Sequence, residues 1–126
     1  NKKNIAWAII EGISFIFKEC QDILINNNYC FPKEIVLIGG GAKNIQWAKI
    51  LSSLLNVQIL VPENQDYVAS LGAIRLAMNN LTMSKYKPIF PESNVIGVDL
   101  PLREILLERF DRYMEHQKLL LNLKNC

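Results

Sequence analysis

One histidine, three cysteines and no cluster of either set the first limits on this sequence. Cys20, Cys30 and Cys126 form an odd set without a CxxC pair, and no histidine lies at metal-ligand spacing. A structural zinc site and a disulfide framework are thereby excluded, and free thiols in a cytoplasmic protein are expected. His116 falls in a polar helical stretch without a Ser or Cys partner, the pattern of a solvated side chain and not of a catalytic base. No apolar run reaches the ~18 residues of a membrane-spanning helix. No secretory leader is visible at the first residue. Like charges never gather into a block, and the net charge is only +2. Nucleic acid and membrane surfaces are therefore not expected as partners.

What is present is hydrophobic: 50% of 126 residues. That supports one domain with a core, and it is rich for a chain this short. Part of the surface is expected to be covered by something else. The chain opens on Asn1, not Met, inside a helical pattern, so we expect a portion of a longer protein.

Residues 4–27 predict a long helix, with Ile5, Ile9, Ile13, Ile16, Cys20 and Ile23 at spacings of four and three. Its first half is apolar almost all round, broken by Glu11, Gly12 and Ser14, which predicts a buried helix. Glu34–Ile38 is β-branched and apolar, as suits a central strand covered on both faces. Residues 44–55 predict a second helix, with Ile45, Ala48, Leu51 and Leu55 on one stripe and Asn56 as its stop. Val57–Val61 reads as a second strand, and 68–78 as a third helix. Residues 79–100 read as an irregular excursion. Pro101 is placed to open a last, amphipathic helix over 102–121. The alternation predicts an α/β layer with parallel strands flanked by helices. Two strands alone are marginal, so further strands are expected upstream.

The stretch IVLIGGGAKN (35–44) places three glycines between the first strand and the second helix. Ligands in open α/β sheets sit beyond the carboxyl ends of the strands. Glycine admits positive φ and close backbone approach, and a helix N-terminus offers N–H groups and a positive dipole end. A phosphate site is one reading; a tight turn that seats the helix on the sheet is the other. GxGxxG fails at Asn44, and no Gly-Lys-Ser/Thr follows for a P-loop.

Three stretches are similar to the FGGY family of carbohydrate kinases. NIAWAIIEG (4–12) resembles the end of its second signature, and IGGGAKNIQWAKILSSLLNVQI (38–59) its adenine-nucleotide loop and following helix. VPENQDYVASLGAIRLA (61–77) resembles the next proline-acidic loop and small-residue helix. The closing segment from Leu100 to Leu120 also resembles the family's last helix. Within the family the glycines with Trp47 and the run SLGAIRLA are most like the branch that phosphorylates D-xylulose. The resemblance implies an actin-like, ribonuclease-H-like fold and transfer of the γ-phosphoryl group of ATP, with Mg2+, to a sugar hydroxyl. Residues 1–126 would form the last part of the C-terminal, nucleotide-holding domain. The implied nucleotide set is Gly39, Gly40, Gly41, Ala42, Lys43 and Asn44, with Gln46 a weaker base contact. The catalytic aspartate and the sugar contacts are implied to lie upstream, so no catalytic residue is expected in this chain and the isolated chain is expected to be inactive. The resemblance is compatible with a homodimer. Asp66 and Tyr67 depart from the Glu-Ala that relatives often carry there. Two alternatives stay open: an actin-like ATP-binding module without sugar chemistry, and a separately encoded or remnant half of a kinase.

Other residues have plainer expectations. Trp47, on a helix facing a sheet, is expected in the core and not stacked on a base. Glu11, acidic within an apolar helix, is expected to be a partnered structural carboxylate. Gly72 is expected to permit close helix packing. The charges of residues 103–112 are expected to be a solvated face with pairs such as Glu108–Arg112.

Overall fold

A computed structural model describes residues 2–63, 68–82 and 92–124. Along the chain run α1 (Lys2–Asn26), β1 (Glu34–Val36), a short 3-10 helix (Gly40–Lys43), α2 (Ile45–Leu55) and β2 (Gln58–Pro62). α3 (Val68–Thr82), β3 (Ser93–Ile96) and α4 (Leu100–Lys124) follow. The loop residues Asp66 and Tyr67, and Cys126, lie outside the described residues.

The sheet has the order β1-β2-β3. β1 and β2 run parallel, with Ile35 opposite Ile59 and Val36 opposite Leu60. β3 runs antiparallel to β2, with Leu60 opposite Val95 and Pro62 opposite Ser93. The sheet is therefore mixed, where parallel strands were expected, and β3 falls in the stretch read as irregular. Ser93 and Asn94 are poor strand formers, and Val95-Ile96 alone is too short an apolar alternation to reveal a strand. β1 also ends earlier than its pattern suggests, although the Leu37 N–H still donates to the Leu60 carbonyl at 2.9 Å. Among the described residues β1 pairs only with β2 and is not covered on both faces: Val36 and Ile38 are exposed.

α2 is the element on which the rest is assembled. On one side Ala48, Leu51 and Leu55 meet Val57, Ile59 and Val61. On another, Ile50 and Leu54 meet Phe15 of α1 and Leu106 and Phe110 of α4. Complete burial of a leucine or isoleucine stabilises by roughly 1.5–3 kcal/mol, so the double-sided burial of α2 is the main stabilising feature. Its ends are closed by polar groups. Asn56 adopts the left-handed conformation that ends helices (φ 56°). Arg103 of α4 donates to the carbonyls of Ser53 and Leu54 at 2.9 and 3.1 Å, and Gln21 of α1 donates to that of Leu55 at 2.8 Å.

α1 differs from its expected burial. Ser14, Phe15 and Gln21 are buried, whereas Ile5, Ile9, Ile16 and Ile23 are exposed. Only one side of the helix has a partner among the described residues. Phe15 packs on Phe110 and Tyr113 with centroids 5.6 and 5.3 Å away. Glu11 is partnered as expected, by Arg109 of α4 at 2.7 Å. Arg109 is thus a cross-helix partner and not only part of a solvated face, while Glu108–Arg112 pairs at 3.5 Å as expected. α4 starts at Leu100, one residue before Pro101, with Asp99 accepting the Leu102 N–H at 3.0 Å. His116 is exposed. α3 runs on to Thr82, and Leu71, Ile74 and Leu76 on it are exposed. A Cβ at Gly72 would touch nothing within 4 Å among the described residues, so the close packing expected there is not seen. Across the sheet face turned away from α2, Val36, Leu60 and Val95 stand in one row.

Candidate functional site

The loop that leaves β1 contains every residue of the expected nucleotide set. Gly39 has φ 90° and ψ −176° and precedes the 3-10 helix, whose first turn closes with the Ala42 N–H on the Gly39 carbonyl at 3.0 Å. Side chains other than hydrogen rarely adopt that conformation. Asn44 then separates the 3-10 helix from α2, and its N–H donates to the Gly41 carbonyl at 3.0 Å.

Two of the three glycines are required, each for its own reason. Gly39 is set by its backbone angle. Gly41 is set by packing: a Cβ there would lie 2.2 Å from Cζ3 and 2.9 Å from Cε3 of Trp47. Gly40 has neither constraint among the described residues, because it is not at positive φ and a Cβ on it would meet nothing within 4 Å there. Gly41 serves the turn that seats the helix, and Gly40 leaves open space at the carboxyl end of β1.

Ala42 is completely buried and belongs to the core with Ala48 and Val61, so its side chain fastens the loop to the sheet. Lys43 is exposed at the last position of the 3-10 helix. Asn44 caps α2: its Oδ1 accepts the N–H groups of Gln46 and Trp47 at 3.1 and 3.3 Å. The expectation that α2 turns open N–H groups toward a ligand is corrected here, since two of them are taken by this cap. The Nδ2 of Asn44 remains able to donate. An Asn directly before an apolar helical stripe is the usual sequence signal of a cap, so this role was available from the sequence.

Trp47 is half-buried against the sheet core, as expected. Its indole N–H donates to the Ser14 hydroxyl at 3.1 Å, and that hydroxyl donates to the Ile10 carbonyl at 2.8 Å. The sequence marked Ser14 only as an interruption in an apolar helix. Its contact with Trp47 spans 33 residues and has no local signature.

Among the described residues no group of three His, Cys, Asp or Glu side chains lies where it could hold a metal ion. The described residues thus offer no carboxylate cluster for Mg2+. No described helix is long and apolar enough to cross a membrane. A hollow of about 280 Å³ at the other end of α2 is lined by Lys18, Lys33 and Arg103 among others. Lys18 is paired with Asp22 of its own helix there, and Arg103 is bonded to the carbonyls that end α2.

A glycine loop between β1 and α2, in a mixed sheet flanked by helices, is the architecture of an actin-like ATPase domain, here in part. The chain belongs to the FGGY family of carbohydrate kinases, whose C-terminal domain model matches residues 1–81. It is 28% identical over 115 residues to the xylulose kinase of Escherichia coli (strain K12), covering 90% of this chain and 22% of that protein. It is 39% identical over 71 residues to the xylulose kinase of Staphylococcus xylosus, covering 56% of this chain and 14% of that protein. The crystal structure of a xyloylose kinase from Brucella ovis superposes with a TM-score of 0.84 at 25% identity, over 98% of this chain and 26% of that one. The chain therefore spans about a quarter or less of the length of these relatives.

Proposed function

We propose that residues 1–126 are the last part of the nucleotide-holding domain of a carbohydrate kinase. That enzyme transfers the γ-phosphoryl group of ATP, with Mg2+, to a sugar hydroxyl. D-Xylulose is the proposed acceptor because the curated relatives reported above are xylulose kinases. The observation that carries the nucleotide reading is Gly40. It is the one glycine of the three for which the described residues supply no internal reason, and it lies where α/β folds receive ligands. In this reading the backbone of Gly39, Gly40 and Gly41 admits the phosphates and ribose. Ala42 anchors the loop from below, Lys43 approaches phosphate oxygens as a point charge, and Asn44 donates Nδ2 to the base. Phosphoryl transfer is achieved mainly by positioning and charge stabilisation, and this loop would do the positioning on the nucleotide side.

The proposal includes an upstream partner segment carrying the catalytic base, the metal ligands and the sugar contacts. It is supported by the exposed apolar residues of α1, by the row Val36–Leu60–Val95, and by the share of the relatives' length that this chain spans. A cytoplasmic setting fits the exposed free thiols of Cys20 and Cys30. Two measurements test the reading. ATP is titrated into the wild-type chain and into Gly40→Val. Weakened binding with an unfolding free energy kept within about 1 kcal/mol is expected, and equal binding by the variant would refute the role of Gly40. The purified chain alone is expected to phosphorylate no sugar, and measurable turnover would overturn the proposed division of labour.

A further inference from the structure

We propose that Ser14 is a positioning residue for the glycine loop, acting through the indole of Trp47. The inference rests on the nucleotide reading of Gly39–Asn44 and names a residue of α1 that controls it.

The geometry is a relay with each group committed. Ser14 is completely buried, so water does not take the place of its hydroxyl. Its proton is spent on the Ile10 carbonyl, which fixes the direction of the oxygen lone pairs. One lone pair receives the Trp47 indole N–H. The indole is thereby held in one orientation, with Phe17 of α1 tilted against it at 6.5 Å between centroids. Trp47 in turn meets the loop at two points. Its six-membered ring lies against Gly41 so closely that no Cβ fits there, and its backbone N–H donates to Oδ1 of Asn44. One residue of the candidate site, Gly41, thus leans on the Trp47 side chain, whose orientation is set from α1, while Asn44 is bonded to the backbone N–H of the same residue.

The test uses the full 126-residue chain and two variants that remove the same hydrogen bond from opposite ends, Ser14→Ala and Trp47→Phe. In the ligand-free protein, both are expected to shift the amide 15N–1H resonances of Gly39–Asn44. With ATP as the probe, each is expected to weaken binding about three- to tenfold, the range expected for one lost hydrogen bond. The double variant is expected to bind no more weakly than Trp47→Phe alone, because the hydrogen bond that Ser14→Ala removes is already gone there. A purely structural role would lower stability without this non-additive loss of affinity. Unmoved loop amides in Ser14→Ala, or additive losses of affinity, would overturn the role of Ser14 whatever the wild type binds. Absence of ATP binding by the wild type with shifted amides would instead refute the nucleotide reading and leave the mechanical link standing. If Ser14→Ala does not fold, Ser14→Cys, a near-isosteric change that leaves only a weak sulfur acceptor, decides the amide arm, because Trp47→Phe disturbs Gly41 directly.

Discussion

Replacing Gly41 by alanine is the sharpest probe of how this loop is built. The new methyl would stand 2.2, 2.9 and 3.2 Å from three ring carbons of Trp47. Carbon atoms rest at ~3.5–4.0 Å, so the ring must withdraw by more than about 1 Å. Its indole N–H lies 3.1 Å from the Ser14 oxygen, and such a withdrawal in the plane of the ring would break that bond. Overpacking costs about 1–3 kcal/mol, and a hydrogen bond lost from a buried partner about 1 kcal/mol or more. The total is roughly 2–4 kcal/mol, a drop in Tm of about 10 °C for a domain of this size. The assay is urea unfolding followed by Trp47 emission in a Trp7→Phe background. Gly40→Ala serves as the control, expected within about 0.5 kcal/mol of wild type. Adding Trp47→Leu to Gly41→Ala, with unfolding then followed by far-UV circular dichroism because the fluorescent reporter is gone, should recover part of the loss by clearing the space. Equal stability of Gly41→Ala and Gly40→Ala would refute the argument, because the two sites differ only in what lies beside them.

Gly39→Ala should cost about 1–3 kcal/mol through its backbone conformation, and the loss should persist when Trp47 is made smaller, which urea unfolding of the double variant checks. Arg103→Ala removes charge-assisted bonds to two carbonyls at the end of α2 and should cost roughly 1.5–3 kcal/mol, with Arg103→Lys restoring only part because it lacks the planar fork; denaturant midpoints decide. Glu11 and Arg109 should show a coupling of about 1 kcal/mol or less in a double-mutant cycle, since Arg109 is partly solvated, and the coupling should shrink as salt is raised.

The α/β alternation was legible because α2 and its flanking strands have strong local patterns. Ala48, Leu51 and Leu55 lie where the helical stripe put them, while Ile45, at the helix start, is exposed. The second buried side of α2, with Ile50 and Leu54, emerges only when α1 and α4 arrive from distant parts of the chain. β3 escaped notice because its pairing, not its composition, makes it a strand. The glycine loop was legible as the turn between the first strand and the second helix and illegible as a division of labour. Nothing in IVLIGGGAKN says that one glycine answers to an angle, one to open space and one to an indole. The burial expected for α1 followed from its composition, which records every surface the helix was selected to meet, whereas the described chain provides a partner on one side only.

The central place of α2 also orders events in time. α2 packs against β2, β3, the 3-10 helix, α1 and α4, so its interior amides should open only with global unfolding and exchange slowest with deuterium. α3, with Leu71, Ile74 and Leu76 exposed, should exchange through local opening, well before the rest. Substitutions such as Leu54→Ala should then slow refolding as well as speed unfolding, whereas changes on α3 should leave the refolding rate untouched. The helix that follows the glycine loop would thus be the nucleus from which this part of the molecule condenses, and the loop would acquire its shape at the same moment as the core.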